Sequence, residues 1–479
     1  MSQDTTPKTA YQAPTIVKQK AGSGNIFGNS PRSSYHEAIA GVPISDLVQT
    51  HGSPLFVLSE GEIRARVREF HMAFGSRYPR VRLGWSYKTH YLAAVCQIMH
   101  QEGSMAEVVS GTEFRMARQL GVRPDQIIYN GPHKDDASLI EAMHGGTRIH
   151  LDNSEELLHL EELARAQGFG PQKKLAVAIR VNMQLDAQHW DRFGFNLESG
   201  RAHQVARRVE ESDSLCLRGL HCHIGTYVDN VDMYRRAALK LVELANWLRR
   251  ELGVRLEWWD LGGGFASRNT LHWAYQNGDV TCPTFARYAE AICGELRQLE
   301  REEGEALPEL FFESGRALIE ECQDLVVSVI SERRLGDGTR ALVLDAGVNL
   351  LSNSYWYRYD VCPTRDPGST VLEDTTLLGN LCMQIDVLRK SVPLPPLSTG
   401  DTLVIRKVGA YNLSQSTQFI HGRPAVLLVD EQQGVHVVRV AETAETMRIQ
   451  DRLPAHLRSV ADSDALPRFR ADGDGGGGR

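Results

Sequence analysis

"GWSYKTHYLAAV", residues 84–95, sets a lysine, Lys88, directly after the strand-like run Val81–Tyr87 and just ahead of an amphipathic helical stretch. A lysine at a strand end is ordinarily a solvated surface group, so its meaning depends on what surrounds it. The unit it belongs to is a short apolar run, a polar or glycine residue, then an amphipathic stretch, and it recurs from about 55 to 320. The runs are "VRLGWSYK", "SMAEVVS", "QIIYNGP", "TRIHLDN", "LAVAIRVN", "LRGLHCHIG", "LEWWDLGGGF" and "LFFESGR". Helical patterns such as "GTEFRMARQL", "SEELLHLEELARAQ" and "MYRRAALKLVELANWLRREL" lie between them. Ser154, ahead of "EELLHLEELA", is expected to cap its helix, with an acidic first turn behind it. Alternating strands and helices predict a parallel sheet with right-handed crossovers. Eight such units match a (β/α)8 TIM-like barrel, whose C-terminal strand ends carry the chemistry. An open doubly wound sheet is the alternative, but it calls for a glycine fingerprint after its first strand, and "SYKTHY" has none.

Beyond about 320 the rhythm changes. "LVVSVISERR", "RALVLDAGV", "NLCMQIDVLRK", "DTLVIRKVGAY" and "PAVLLVDEQQGVHVVRV" read as strands, with turns such as "GDGT" between them. The expected organisation is a polar tail over 1–34, the barrel over 35–320, a mostly-β sandwich or barrel over 321–455, and a flexible tail over 456–479. The length of 479 residues fits two domains. A net charge of −7 offers no global basic face, so nucleic acid is not an expected partner. No apolar run approaches the roughly 18–20 residues that span a bilayer. The N-terminal residues lack the layout of a secretory signal, and eight scattered cysteines fit reduced thiols, so a cytoplasmic location is expected.

Each barrel run stops on chemistry. In order the strand ends offer Lys88, Glu107 with Ser110, Asn130, Asp152, Arg180, His223, Gly262–Gly264, and Glu313 with Arg316. On a barrel all of them surround one mouth. Three glycines after a strand let backbone N–H groups converge on an anion, and Arg316 can add a bidentate fork. A phosphate-bearing ligand is therefore favoured. A lysine facing a phosphate-anchored aldehyde forms a Schiff base, which is what pyridoxal 5'-phosphate requires. Glu313 is then the acid at the pyridine nitrogen, and His223 lies against the ring. The rival reading takes His221 and His223, "HCH", as a metal pair of a barrel hydrolase. In those enzymes the pair sits on the first strand and the lysine follows, the reverse of the order here, so no metal is expected.

These motifs together resemble the fold-type III pyridoxal-phosphate decarboxylases, the diaminopimelate and ornithine decarboxylase group. The resemblance covers roughly residues 53–447. It runs through "SYKTHY", "AEVVSGTEF", "RFGF", "GLHCHIGT", "DLGGGF", "ESGRAL", "LDAGVN", "LCMQID" and "GAYNLSQSTQFIHGRPAVLLV". It implies an alanine-racemase-like barrel joined to a β domain, with Lys88 as the Schiff-base lysine and His223 stacked on the ring. It further implies Glu313 at the pyridine nitrogen, with Gly262, Gly263, Gly264, Arg316, Thr226 and Tyr411 around the phosphate. Glu107 and Arg180 fall where the family places polar residues near the lysine and ring. The family's head-to-tail homodimers share two active sites, so Cys382 is implied to reach the partner's cofactor as a proton donor, with Asp386 holding its loop.

Two departures bear on substrate. Where diaminopimelate decarboxylases carry Glu after the motif cysteine and ornithine decarboxylases carry Asp, this chain has Met383. Where the diaminopimelate enzymes have an arginine for the distal carboxylate, it has Asn353, in "LLSNSYWYRY". A missing partner for a desolvated charge costs on the order of 2–5 kcal/mol. The expectation is therefore a decarboxylase of another L-amino acid or amino-acid conjugate, in siderophore or other secondary metabolism. Trp356, Tyr357, Arg358 and Arg389 would line an altered pocket. Diaminopimelate decarboxylation in lysine biosynthesis is the alternative, and an amino-acid racemase or a non-catalytic regulatory relative stays open.

Overall fold

The computed structural model describes residues 35–185, 190–297, 307–369 and 371–457. The tail expected over 1–34 lies outside them, as does all but 456–457 of that expected over 456–479. The first long strand, β1 (Leu55–Ser59), is buried along its whole length and is not part of the barrel. Eight parallel strands follow. They are β2 (Val81–Ser86), β3 (Met105–Val108), β4 (Ile127–Tyr129), β5 (Arg148–Leu151), β6 (Leu175–Asn182), β7 (Leu215–His221), β8 (Trp258–Asp260) and β9 (Glu309–Phe312). Each pairs with the next, and β9 returns to β2 through Leu310–Val81, Phe311–Arg82 and Phe312–Leu83, which closes the barrel. All eight runs read from the sequence are barrel strands.

Alternation along these strands decides what fills the barrel. Met105, Ile128, Ala178, Trp258 and Phe311 pack together as an apolar cluster separate from the main core. Two residues further along the same strands come Glu107, Asn130, Arg180, Asp260 and Glu313, so alternation sets a polar layer above an apolar floor. Gly219, two residues before His221, makes room for this floor, because a Cβ there would lie 2.2 Å from the Trp258 indole nitrogen. The opposite strand faces, with Trp85, Val108, Tyr129 and Phe312, pack outward with the helices into the main core.

Helices between the strands are capped locally. Ser110 accepts from the Glu113 amide, and Asn230 opens the long helix Val231–Leu252, which Gly253 ends in the left-handed conformation. For the helix Ser154–Ala166 the cap is Asn153, not Ser154 as expected. Asn153 holds the extended backbone and its side chain accepts from Glu156 N at 2.8 Å, whereas the Ser154 hydroxyl accepts from Arg201.

The second sheet has nine strands. Its centre is β10 (Gln323–Arg334), which pairs antiparallel with β11 (Arg340–Leu344) at one end. Its other end lies between β1 and a later strand, Thr402–Ile405. The sheet continues from β1 to a strand at Val426–Val429 and its hairpin mate Val435–Arg439. The expected barrel span of 35–320 thus starts too early. Leu55–Ser59 completes the second sheet, and Leu55 and Val57 share a core with Ile44, Leu47, Val326, Val404 and Leu427. The run "NLCMQIDVLRK" also differs from expectation, since its strand begins at Val387 and Cys382–Ile385 form an exposed turn. No helix among the described residues is long and apolar enough to cross a membrane.

Candidate active site

Strand β2 ends at Ser86, and a single 3-10 turn, Tyr87–Thr89, follows with both flanking side chains buried. That anchoring directs Lys88 to the end of the neighbouring strand β3, where its Nζ lies 3.0 and 2.9 Å from the two carboxylate oxygens of Glu107. Glu107 is fully buried and also accepts from Ser86 Oγ at 2.5 Å. The Lys88 side chain keeps 39% of its accessibility although its ammonium lies deep among these groups. Burial works to lower its pKa, but the charge of Glu107, then those of Tyr411 and Glu313, prevail and raise it above the usual lysine range. A short helix of the second domain, Asn412–Gln415, closes over this turn, since Ser414 Oγ donates to the Lys88 carbonyl at 2.9 Å and Tyr411 N to that of Thr89.

Glu313 sits at the end of β9. It accepts from Asn130 Nδ2, and His221 Nε2 lies 3.4 Å away. Burial opposes its ionisation, yet His221 first, and then Asp260 and Lys88, hold it well below the usual carboxylate range. His223, two residues past His221, accepts from Gly263 N at 3.1 Å through Nδ1. Burial, then the charges of Arg180 and Lys88, push it down to about 3, so its ring is neutral. The two histidines of "HCH" therefore hold separate posts. Arg180 pairs with Asp152 at 3.3 Å and lies over the Phe193 ring.

The glycine turn after β8 fills the gap between neighbouring strand ends. A Cβ at Gly263 would lie 2.3 Å from the Glu313 carbonyl oxygen, and one at Gly264, where φ is +92°, 2.1 Å from that of Gly225. Only glycines let this backbone approach so closely. Beside it, Arg316 lies between the rings of Tyr357 and Tyr411, 5.3 and 4.9 Å from their centroids, and donates to Glu320 at 2.8 Å. Tyr411 holds a left-handed φ of 64°, a strained backbone of the kind that marks ligand sites. Thr226 is exposed on the loop after His223.

This set fits pyridoxal phosphate. It offers an amine, an ionised carboxylate inside the barrel, a neutral imidazole and a backbone cradle that a Cβ would fill, beside a preset guanidinium. The Asn130 Oδ1 and Glu320 Oε1 atoms are buried without hydrogen-bond partners, which leaves polar capacity around the site.

The remaining sequence candidates lie in the second domain. Cys382 and Met383 are exposed. Asp386 fixes their turn by accepting from Leu381 N and Val348 N, both at 2.8 Å. Asn353 is buried and donates to the Ala410 carbonyl at 3.0 Å. Arg358 donates to Ala274 O and Arg389 to Tyr359 O, so both brace backbone. Trp356 is exposed beside Trp273 and Tyr355, and Tyr357 is buried against Arg316. Sequence reading missed His150, Asp260 and Glu320. The signal for the first two was present, because each lies on the inward phase of its strand.

The pyridoxal-binding domain of pyridoxal-dependent decarboxylases matches residues 60–320. The diaminopimelate decarboxylase of Methanothermobacter thermautotrophicus is 28% identical over 432 residues, covering 88% of this chain and 97% of its own. That of Corynebacterium efficiens is 31% identical over 412 residues, covering 82% and 86%. The crystal structure of the M. jannaschii diaminopimelate decarboxylase superposes with a TM-score of 0.79 at 25% identity, covering 87% of this chain and 96% of that one. The barrel with its β domain, the residues at its mouth and these matches agree. The chain belongs to the family of pyridoxal-dependent decarboxylases and is a pyridoxal-phosphate-dependent amino-acid decarboxylase.

Proposed function

We propose that this decarboxylase removes a carboxylate from diaminopimelate. The observation that carries the reading is the extent of the similarity, since relatives bearing that activity in their names align over 82% and 88% of the chain. When bound, pyridoxal phosphate supplies an aldehyde for an amine and an electron-withdrawing ring. The chain's own residues then have distinct tasks. Lys88 provides the amine, and Glu107, at 2.9 Å, is the base in reach of its proton. Gly262–Gly264 and Arg316 grip phosphate, Glu313 presents a fixed negative charge inside the barrel, and neutral His223 offers a flat face. Cys382 donates a proton to carbon in the neighbouring subunit of a homodimer, which accounts for an exposed thiol on a turn so tightly held by Asp386.

A second reading is favoured by the distal pocket. Met383 offers no charge, Asn353 is engaged with backbone, and Arg358 and Arg389 both donate to carbonyls. These features suit an L-amino acid or conjugate without a distal carboxylate, and none of them points to siderophore metabolism in particular. The two readings separate by incubating purified enzyme with diaminopimelate, lysine, ornithine, arginine and N-acylated analogues while measuring CO₂ and product amine. Lysine formed from diaminopimelate faster than any other product supports the first reading. Turnover of another substrate with diaminopimelate inert overturns it in favour of the second.

A further inference from the structure

We infer that Asp260 holds a proton at neutral pH and is a positioning residue for Glu313, within a closed buried layer completed by the neighbouring, mutually tilted rings of His150 and His221. The inference rests on the reading that Glu313 faces the cofactor ring. The four residues sit on β5, β7, β8 and the end of β9, on the inward phase of each strand. Their exposures are 1%, 1%, 0% and 6% for His150, His221, Asp260 and Glu313. The ring centroids of His150 and His221 are 4.9 Å apart, and one side-chain nitrogen or oxygen from each of His150, His221 and Glu313 lies within 4.8 Å of the others.

The donors in this layer are shared unequally. Glu313 receives Asn130 Nδ2 and faces His221 Nε2 at 3.4 Å. Asp260 receives Gly262 N on Oδ1 at 2.8 Å, while its Oδ2 is buried and has no donor. His150 does not supply one. Trp258 Nε1 donates to His150 Nε2 at 3.4 Å, which leaves the ring proton on Nδ1, and Nδ1 is 3.9 Å from Asp260 Oδ2, beyond hydrogen-bond reach. An ionised carboxylate with one bare buried oxygen is costly, and a second charged carboxylate beside it adds repulsion. A proton on Oδ2 removes both penalties, because the acid then donates to the Glu313 carboxylate. The titration tendencies agree, with Asp260 raised by burial and then by Glu313, and Glu313 lowered. The other charges that act on these groups are Lys88, Glu107, Lys134 and Arg148. The chain thereby fixes which of two neighbouring carboxyls is charged before any cofactor arrives.

The test uses the apo-enzyme first. Infrared spectra with carboxyl-labelled aspartate are expected to show a protonated carboxylic acid at neutral pH that disappears in Asp260→Asn. Asparagine keeps the Oδ1 acceptor and supplies an N–H toward Glu313. Its pyridoxal phosphate affinity is therefore expected within about 3-fold of wild type, whereas Asp260→Ala, which bares Glu313, loses about 10-fold or more. Absence of the labelled acid band in the wild type overturns the inference, as does an Asn variant as weakened as the Ala variant. So does stoichiometric metal in the purified protein held by this layer and lost in Asp260→Asn. Wild-type labelling decides the matter even if a variant fails to fold. If Glu313→Gln leaves the absorbance and affinity of bound pyridoxal phosphate unchanged, the role of Glu313 at the ring fails instead, while the infrared result on Asp260 stands.

Discussion

Arg316 and Glu320 form an ion pair one helical turn apart, 2.8 Å between Nη1 and Oε2, with the carboxylate almost wholly buried. Ser267 Oγ is 3.2 Å from the same oxygen. Arg316→Ala would strand a buried charge, and breaking such a pair costs about 3–5 kcal/mol. Urea denaturation of the apo-protein should show a loss of that size. Arg316→Lys keeps the charge but not the planar fork between two tyrosines, so it should recover part of the stability and little of the cofactor affinity.

Removing the carboxylate beside Lys88 should change the lysine more than the fold. Because the Lys88 pKa is raised in the folded state, the pair's contribution is fully present below the unfolded lysine value and is lost only as pH climbs through the folded one. Glu107→Gln should therefore lower stability equally at about pH 6 and pH 9. It should also move the alkaline rise in the rate of cofactor attachment toward neutral pH. Stopped-flow absorbance against pH checks the direction.

Glu113 should impose a pH slope. Burial, and then the charge of Glu107, raise it from the ordinary 4.5 to about 7. Between those values the folded protein binds a proton that the unfolded chain has released, so stability falls as pH rises through that window. Glu113→Gln should flatten the slope and exceed wild type in melting temperature above about pH 7, since glutamine still accepts from Val109 N.

Gly263→Ala places a methyl group 2.3 Å from the Glu313 carbonyl oxygen. Relief requires moving either the glycine turn or the end of β9. Overpacking of this kind costs about 1–3 kcal/mol. Binding of inorganic phosphate, followed by calorimetry, should fall more steeply than thermal stability does.

Mixing two inactive variants tests whether active sites are shared. Lys88→Ala and Cys382→Ala should each lose decarboxylation as homodimers. Recovery of part of the activity on mixing places the thiol and the lysine of one site on different chains. No recovery, with exchange verified by mass spectrometry, removes the shared-site proposal.

The barrel was legible because every one of its strands couples an apolar run to a polar residue of defined phase, as Met105 with Glu107 or Phe311 with Glu313 do. The mouth was legible for the same reason, since strand ends converge whatever the intervening helices contain. Three features were hidden. Asn153 and Ser154 are both good capping residues, and only the backbone angle decides between them. The turn at Cys382–Ile385 reads as a strand in sequence, because its apolar residues mask hydrogen bonds to Asp386. His150 and Asp260 carry the inward phase, but phase alone does not separate a site residue from a packing one, and the neighbours that do, such as each for the other at 3.9 Å, lie on other strands.

Strand β1 pairs with Gln323–Val326 on one side and with Val426–Val429 on the other. A chain emerging from the ribosome makes this strand well before its first partner, Gln323–Val326, and holds one edge unpaired still longer, until Val426–Val429 follows. Its apolar residues Leu55, Phe56, Val57 and Leu58 are an adhesive edge throughout that interval. The two lobes consequently cannot be cut apart at residue 320 and expressed singly. The later fragment would lack an internal strand of its sheet, and the earlier one would carry that strand bare.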